Sequence, residues 1–525
     1  MRQTGKIQCE DLDAIKAEVL NTIEGARKSL PGFRYGDIRI EVAEGSYAWA
    51  ENGDPKASGR DFGLSLGVRV IAGNGMAASG HVGMVLGPAD VPNLSAIVRD
   101  ALGHAHARAR ANADQKKAAL RKFAMAGKCL TSIELAPIEI HRQDILALYQ
   151  TDPRSIDPSA ATRLAVDVSK AVAAVSDAVK YNVIEAVTYL ARSVFASSEG
   201  ALIDRGYALT QGIAYIVGAT EKGQQEHYDC IGHQRGWEIL EKGITEDPPM
   251  LRSPGLCDFA VALAKETVEL CDAPPLPESK KEVVVVTDPH YNTLLVHEII
   301  GHPTELDRAF KWETAYAGRT WLFNDLGHNR VGERIASPLV SAYSDPALPG
   351  YGNYEYDDEG APAKRVMHIE KGVFKGFMNS RQTAAIIGAE PNGHYKATDA
   401  SLVPLIRMSS TVFGPGRTPP EQLIGEVERG YYFTSMRIPS IAESRENFRI
   451  TARKVQEIRN GKLGQVYRDG GIMSDSRDFL MNVDGVGNDF RLYPIANCGK
   501  GQPMQTKKLG NGGPTLRSRA RVTGR

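Results

Sequence analysis

The sequence predicts an α+β protein of two domains. An N-terminal α/β-type domain is expected over residues 1–277, and a β-rich C-terminal domain carrying a histidine-bearing helix over 278–525. Three observations point there. The stretch Ala273-Pro274-Pro275-Leu276-Pro277-Glu278-Ser279-Lys280-Lys281 sets three prolines in four positions near mid-chain, where neither a helix nor a central strand can continue. Ahead of it, alternating segments and long Ala/Val-rich segments read as strands and helices segregated from one another. Behind it, short apolar runs joined by two-residue turns read as antiparallel hairpins.

In chain order, Ile38, Ile40 and Val42 alternate with charged residues, and 66–72 is a further strand-like run. Leu94, Ile97, Val98, Ala101, Leu102 and Ala105 recur at helical spacing behind Asn93, the expected cap. A second Ala/Val-rich helix is expected from about 159 to 189. Past the linker, residues 282–287 form a short apolar run, the pattern of a strand buried on both faces. Residues 366–369 turn through Lys371-Gly372 into 373–377, and Asn460-Gly461 is a strong hairpin signal. The basic tail over 517–521 reads as a solvated terminus.

Apolar residues make up 42% and charged residues 24% of the 525, enough to bury a sizeable core. The 63 Lys plus Arg balance 63 Asp plus Glu, which argues against a surface built to hold nucleic acid or an anionic membrane. No stretch approaches the roughly 18 apolar residues of a spanning helix, and MRQTGKIQCEDLD has no apolar h-region, so a cytoplasmic protein is expected. The six cysteines, at 9, 129, 230, 257, 271 and 498, follow no paired spacing, so a disulfide scaffold is not expected.

Several motifs have bland meanings. Gly63-Leu64-Ser65-Leu66-Gly67 fits a serine-nucleophile pattern, but the residues after it continue as a strand instead of starting a helix. Gly73-Asn74-Gly75 imitates a dinucleotide loop and is better read as a glycine-rich hairpin. Asp357-Asp358-Glu359-Gly360 suits a hard cation or, more simply, an acidic turn. His227, Cys230 and His233 place three soft-metal donors at intervals of three without a nearby fourth.

His297-Glu298-Ile299-Ile300-Gly301-His302 differs in kind, because its two imidazoles bracket a carboxylate within an apolar helix. The familiar zinc-peptidase helix spaces its histidines at i and i+4, about 40° apart around the axis. Here the spacing is i and i+5, about 140° apart in a regular α-helix, and a single π-type turn would bring the pair back to about 50°. Gly301 supplies flexibility and Pro303 restrains the chain just beyond. A hydrolytic zinc needs a third protein ligand. Glu305, Asp307, His328 and Cys498 remain open candidates on residue type alone.

The segment HEIIGHPTELDRA resembles the HExxxH signature of the TldD/PmbA family of metallopeptidases. In the family's order, GVRV at 67–70, SEG at 198–200, DDEG at 357–360, Arg407-Met408, GND at 487–489, CGKGQ at 498–502 and PTL at 514–516 resemble further family segments. The resemblance implies His297, His302 and Cys498 as zinc ligands and Glu298 as the general base. It also implies an N-terminal α/β domain with a β-rich metal domain, and unstructured peptide substrates cleaved inside a chamber between two subunits. Those subunits are either a homodimer or a heterodimer with a PmbA-like partner, and the retained motif resembles the catalytic TldD type. Two departures stand out: SMRIPSIAESRENF at 435–448 replaces a glycine-rich family stretch, and CGKGQ is one residue shorter than usual.

The reading is therefore a zinc-dependent peptidase in which Glu298 takes a proton from the attacking water. His328, Tyr356 and Arg407 are candidates for stabilising the oxyanion by residue type. Alternatives are a non-catalytic binding subunit and a metal-dependent amidase acting on a small molecule.

Overall fold

The computed structural model describes residues 2–123, 131–245, 248–312 and 318–524; Cys129 lies outside them. The N-terminal half is built on a seven-stranded sheet. Its centre is the pair Phe33–Glu51 and Val179–Ser197, flanked by Asp54–Ala72 with Ala78–Leu86 on one side and by Leu202–Ala219 with Gln224–His233 on the other. The pairings are antiparallel except that Arg142–Ile145 runs parallel to Leu202–Ala219.

Even-numbered residues of Phe33–Glu51 (Ile38, Ile40, Val42, Ala48, Ala50) all turn to one face, as period-two alternation requires. The helices Glu10–Ser29 and Leu94–Lys122 cover one part of that face. Pro158–Ala173 and Leu256–Asp272 cover the rest. The odd-numbered face carries Arg39 and Glu41 and turns toward the C-terminal half. Close approach there requires glycine: a Cβ on Gly67 would run into the Ala400 carbonyl, and one on Gly83 into that of Ser401. Ser65 sits mid-strand, where its Oγ accepts the Ala400 N–H at 3.2 Å, so it is no nucleophile on a turn.

Three sequence expectations need correction. The helix expected over 159–189 ends at Ala173, and Val179–Ser197 is a strand whose Ile184, Ala186, Thr188 and Leu190 are buried on the helix-covered face. Small residues suit both states, so tertiary pairing decides. Asn93 makes no side-chain cap; the chain enters the helix through the turn Pro88–Asn93, with Asp90 accepting the Gly87 N–H. The basic tail is the strand Leu516–Thr523, with Leu516, Ser518, Ala520 and Val522 buried while Arg517 pairs with Asp484 and Glu426.

In the C-terminal half, Val283–Thr287 pairs parallel with Arg429–Ile441 and antiparallel with Leu516–Thr523. Pairings through Asn447–Arg459 and Gly471–Asp475 return to Leu516–Thr523 and close these five strands into a small barrel. A six-stranded sheet ending in the hairpin of Arg491–Lys500 and Gln505–Gly513 lies beside it. Both expected two-residue turns form, with Lys371-Gly372 and Asn460-Gly461 at positive φ as such hairpin turns demand. The proline-rich stretch is pinned down: Leu276 is buried and its N–H donates to the Arg468 carbonyl. The fold is thus mixed α+β, with a helix-covered sheet first and a β-rich region with a barrel second.

Candidate metal centre

The strand Val283–Thr287 delivers the chain to a helix that starts at Pro289. Asp288 caps it, its Oδ1 accepting the Tyr291 N–H at 2.6 Å. Two buried side chains fix the helix in place. Tyr291 donates its hydroxyl to Ile450 O at 2.8 Å, and Asn292 donates Nδ2 to Pro514 O at 2.7 Å. Regular α-helix lasts to Val296, and His297–Gly301 is a π-turn, as the i, i+5 spacing predicts.

Gly301 is required for packing as well as flexibility, because a Cβ there would overlap Met408 Sδ. The helix then tightens over His302–Thr304, and Thr304 Oγ1 donates toward the freed carbonyls of Ile300 and Gly301 at 2.8 and 2.9 Å.

The π-turn sets the His297 and His302 rings edge to face, 4.7 Å between centroids. The strand Arg491–Lys500 brings Cys498 Sγ to 3.5 Å from His302 Nε2. One donor atom from each of His297, His302 and Cys498 lies within 4.8 Å of the others, and all three residues are buried. Two imidazoles and a thiol are the donor types zinc favours, and three protein ligands leave a position for water or substrate.

The surroundings suit such an ion. Burial lowers His297 to about 4, offset in part by Glu298, so the ring is neutral and keeps a lone pair near neutral pH. Burial alone would raise the Cys498 thiol, but His302 and Arg407 outweigh it and hold it below its usual value, favouring thiolate. His302 Nδ1 lies 3.1 Å from Glu305 Oε2, which orients the ring and leaves Nε2 facing Cys498. His297 Nδ1 is 2.9 Å from the Asn511 amide nitrogen, whose oxygen accepts the Thr411 N–H at 3.2 Å. Binding through Nε2 would require that amide to turn and offer its oxygen.

Glu298 is buried beside His297, and its Oε2 accepts Arg445 Nη1 at 2.5 Å. Burial would raise this carboxyl, but opposing charge, led by the Arg445 guanidinium, overcomes it and holds it below the ordinary glutamate range.

The other candidates take different places. Glu305 is held by Arg308 Nε at 2.9 Å and Lys500 Nζ at 3.2 Å, so its carboxylate is taken up by protein donors while it orients His302. Asp307 accepts Lys500 Nζ at 2.7 Å and the Ile406 N–H at 3.1 Å. His328 is exposed and paired with Asp325. Tyr356 donates to Gln143 at 2.7 Å. Arg407 donates to the Cys498 and Gln505 carbonyls, bracing the cysteine hairpin from behind. The carboxylates at 357–359 are taken up by protein donors. Asp357 accepts the N–H groups of Glu359, Ala361 and Tyr395, and Glu359 accepts Arg69 and the Arg381 N–H. Burial and Glu359 push Asp357 up to about 7.

Arg445, Asn511, Arg308 and Lys500 had no assigned role in the sequence reading. Lys500 and Arg308 fall within the family-like segments CGKGQ and HEIIGHPTELDRA, and Arg445 within the departing segment 435–448, while Asn511 carried no signal. A separate cavity of about 220 Å³ lies between the uncovered face of the first sheet and the second half, lined by Arg39, Glu41, Lys396, Arg407 and Lys507 among others. None of His297, Glu298, His302 or Cys498 lines it.

A carboxylate and two imidazoles on a helix behind a barrel strand, met by a thiol from a neighbouring hairpin, form the arrangement of a metal-dependent hydrolase. Comparison with known proteins narrows that class. The profile described as PmbA/TldA metallopeptidase C-terminal domain matches residues 280–524. A metalloprotease from Methanothermobacter thermautotrophicus is 31% identical over 372 residues, 71% of this chain and 76% of that protein. A zinc metalloprotease TldD homolog from Saccharolobus solfataricus is 27% identical over 238 residues, 45% of this chain and 50% of its own. The crystal structure of TldE from Thermococcus kodakarensis shares the fold, with a TM-score of 0.65 at 17% identity over 96% of this chain and 100% of that one. The chain belongs to the PmbA/TldD family of metallopeptidases.

Proposed function

We propose that this chain is a zinc peptidase that hydrolyses unstructured peptides, with His297, His302 and Cys498 as ligands and Glu298 as general base. The observation that carries the reading is the π-turn, which gathers two imidazoles to within 4.8 Å of a thiol from a distant strand and leaves Glu298 alongside. When bound, zinc would supply a Lewis acid that polarises the scissile carbonyl and lowers the pKa of water.

The protein's own groups do the rest. Glu305 keeps the proton of His302 on Nδ1, away from the ligand atom. Glu298 takes a proton from the attacking water and passes it to the departing amine, which requires Arg445 to loosen its hold. Burial of all four residues supports unstructured substrates, since only an extended chain threads a backbone bond to them. A chamber formed with a second copy or with a PmbA-like partner is part of this proposal. So is a cytoplasmic location, to which the structure contributes one point: among the described residues no helix is long and apolar enough to cross a membrane.

The test is Glu298→Gln, which keeps the ligands and a neutral acceptor for Arg445. Zinc content should stay at about one per chain, while hydrolysis of a mixed unstructured peptide pool falls by roughly 10² to 10⁴. Full activity would assign the proton to another residue, and loss of zinc would make Glu298 a ligand. A parent protein that captures peptides without cutting them would be a binding subunit. One that cuts only small-molecule amides would be an amidase.

A further inference from the structure

The segment that departs from the family pattern, 435–448, covers the facing ends of the strands Arg429–Ile441 and Asn447–Arg459 and the tip between them, at 442–446, which carries Arg445 into the metal centre. Its position there is enforced. Arg445 adopts φ of 64°, a conformation unusual for a residue with a Cβ. The backbone on both sides is tied: its N–H donates to Ala442 O at 2.9 Å, and its carbonyl accepts Ser476 Oγ at 2.7 Å. Next to it, the Ser444 carbonyl accepts the Trp321 N–H at 3.0 Å.

The guanidinium delivered this way is nine-tenths buried and incompletely bonded. Nη1 holds Glu298, while Nε is buried without a hydrogen-bond partner among the described residues. Leaving a charged group's N–H buried and unpaired is unfavourable, as is holding a residue at positive φ. A strained backbone that delivers the side chain to one site, and a buried N–H left open there, mark an arrangement completed by something that enters. A second acceptor is what the fork lacks.

We infer that Arg445 is a catalytic residue that donates to the scissile carbonyl oxygen and to the oxyanion it becomes. This rests on the peptidase reading above and supplies the oxyanion partner that the sequence could not identify. A peptide carbonyl entering beside Glu298 offers that acceptor. As the water oxygen bonds to the carbonyl carbon, the π electrons pass to the oxygen and its charge becomes complementary to the guanidinium. The same movement draws Arg445 off Glu298 and frees the carboxylate to take the water's proton. The ion pair at 2.5 Å is then the resting arrangement, exchanged for substrate at the start of each turnover.

The test uses the full-length, zinc-loaded protein and two variants, Arg445→Met and Arg445→Lys. Three quantities are measured: zinc per chain, kcat and KM on an unstructured peptide, and affinity for a phosphinic peptide of the same sequence, a tetrahedral mimic. Affinity for the uncut peptide is measured with and without Arg445→Met in the Glu298→Gln background.

For Arg445→Met we expect unchanged zinc, kcat lower by about 10² to 10³, and KM within about twofold. Phosphinic peptide affinity should fall by a comparable factor while affinity for the uncut peptide holds, and Arg445→Lys should recover part of both losses. Equal or faster turnover without the arginine would make it a latch on Glu298 and overturn the inference. So would parallel loss of affinity for mimic and substrate, which marks a ground-state anchor. A parent that cuts no peptide sinks the peptidase reading separately. Arg445 is then judged by the phosphinic peptide alone: arginine-dependent binding supports it, while equal binding in the variant, or none in the parent, refutes it.

Discussion

Two sets of residues in this chain offer two histidines and a cysteine, and only one of them gathers its donors. His227, Cys230 and His233 lie on the strand Gln224–His233, where side chains alternate between faces. His227 Nδ1 donates to Thr267 Oγ1 at 3.0 Å on the covering helix, and that hydroxyl passes its own proton to Leu263 O. Cys230 turns the opposite way, its Sγ 3.7 Å from the Pro494 carbonyl. His233 shares the His227 face but lies about 20 Å further along at strand rise. Spacing by three, compact on a helix, disperses donors on a strand. The helix at 289–301 does the reverse, since a spacing of five that would diverge on α-geometry converges through the π-turn. Donor type selects candidates, and backbone period decides which of them meet.

Paired cysteine substitutions test that contrast most severely. Cys498→Ser should strip zinc during dialysis against a mild chelator, because hydroxyl is a far poorer ligand than thiolate. Cys230→Ser should leave elemental analysis at the parent's value of about one ion per chain. Retention of zinc by the first variant, or its loss in the second, would reverse the comparison. Next in size is Glu305→Ala, which removes the anchor of His302 and should weaken zinc by about 10- to 100-fold in a competition titration. A variant binding as tightly as the parent would show the ring is oriented by packing alone.

Gly301→Ala forces a methyl into Met408 and should cost about 1–3 kcal/mol in denaturant unfolding of the zinc-free protein. Unchanged stability would mean Met408 yields freely.

The last comparison concerns acid. Burial holds His227 at about 3, well below an ordinary histidine. The unfolded chain therefore binds a proton there that the folded chain refuses, and stability falls as pH drops from about 6.5 toward 3. Unfolding midpoints for His227→Phe should decline less steeply over that window. An identical slope would remove His227 from the acid response.

How far the molecule is legible in its sequence depends on the same division between local and distant information. The strand, helix, π-turn and glycine–proline exit of the site segment are encoded within about twenty consecutive residues, so the apolar run and the spacing were enough to expect them, though the Asp288 cap was not read. The third donor comes from some 200 positions away; spacing left Glu305, Asp307, His328 and Cys498 open, and only the family resemblance pointed to Cys498. Arg445 lies in the segment 435–448, which stood out only as a departure from the family pattern; its reach depends on how two long strands meet at their tip, which spacing along the chain does not fix. The helix expected over 159–189 failed for the opposite reason, since Ala and Val patterns there satisfy both periods until a neighbouring strand chooses. In the tail, alternating Leu516, Ser518, Ala520 and Val522 announced a strand that the run of arginines obscured.

The π-turn also fixes how this segment can change over generations. Most surface loops absorb gained or lost codons, because closing a slightly longer loop costs little. Deleting Ile299 or Ile300 would leave the histidines four apart, the spacing of an ordinary zinc-peptidase helix, and look harmless in an alignment. Everything beyond the deletion would nevertheless rotate by about 100° and retreat by about 1.5 Å. Glu305 and Arg308 would travel with His302, but Glu305 and Asp307 would swing away from Lys500, and His302 would leave its place beside Cys498. The length of the motif is therefore a unit of inheritance: its intervening residues can be exchanged one for another, but their number cannot drift without rebuilding the chain beyond Gly301.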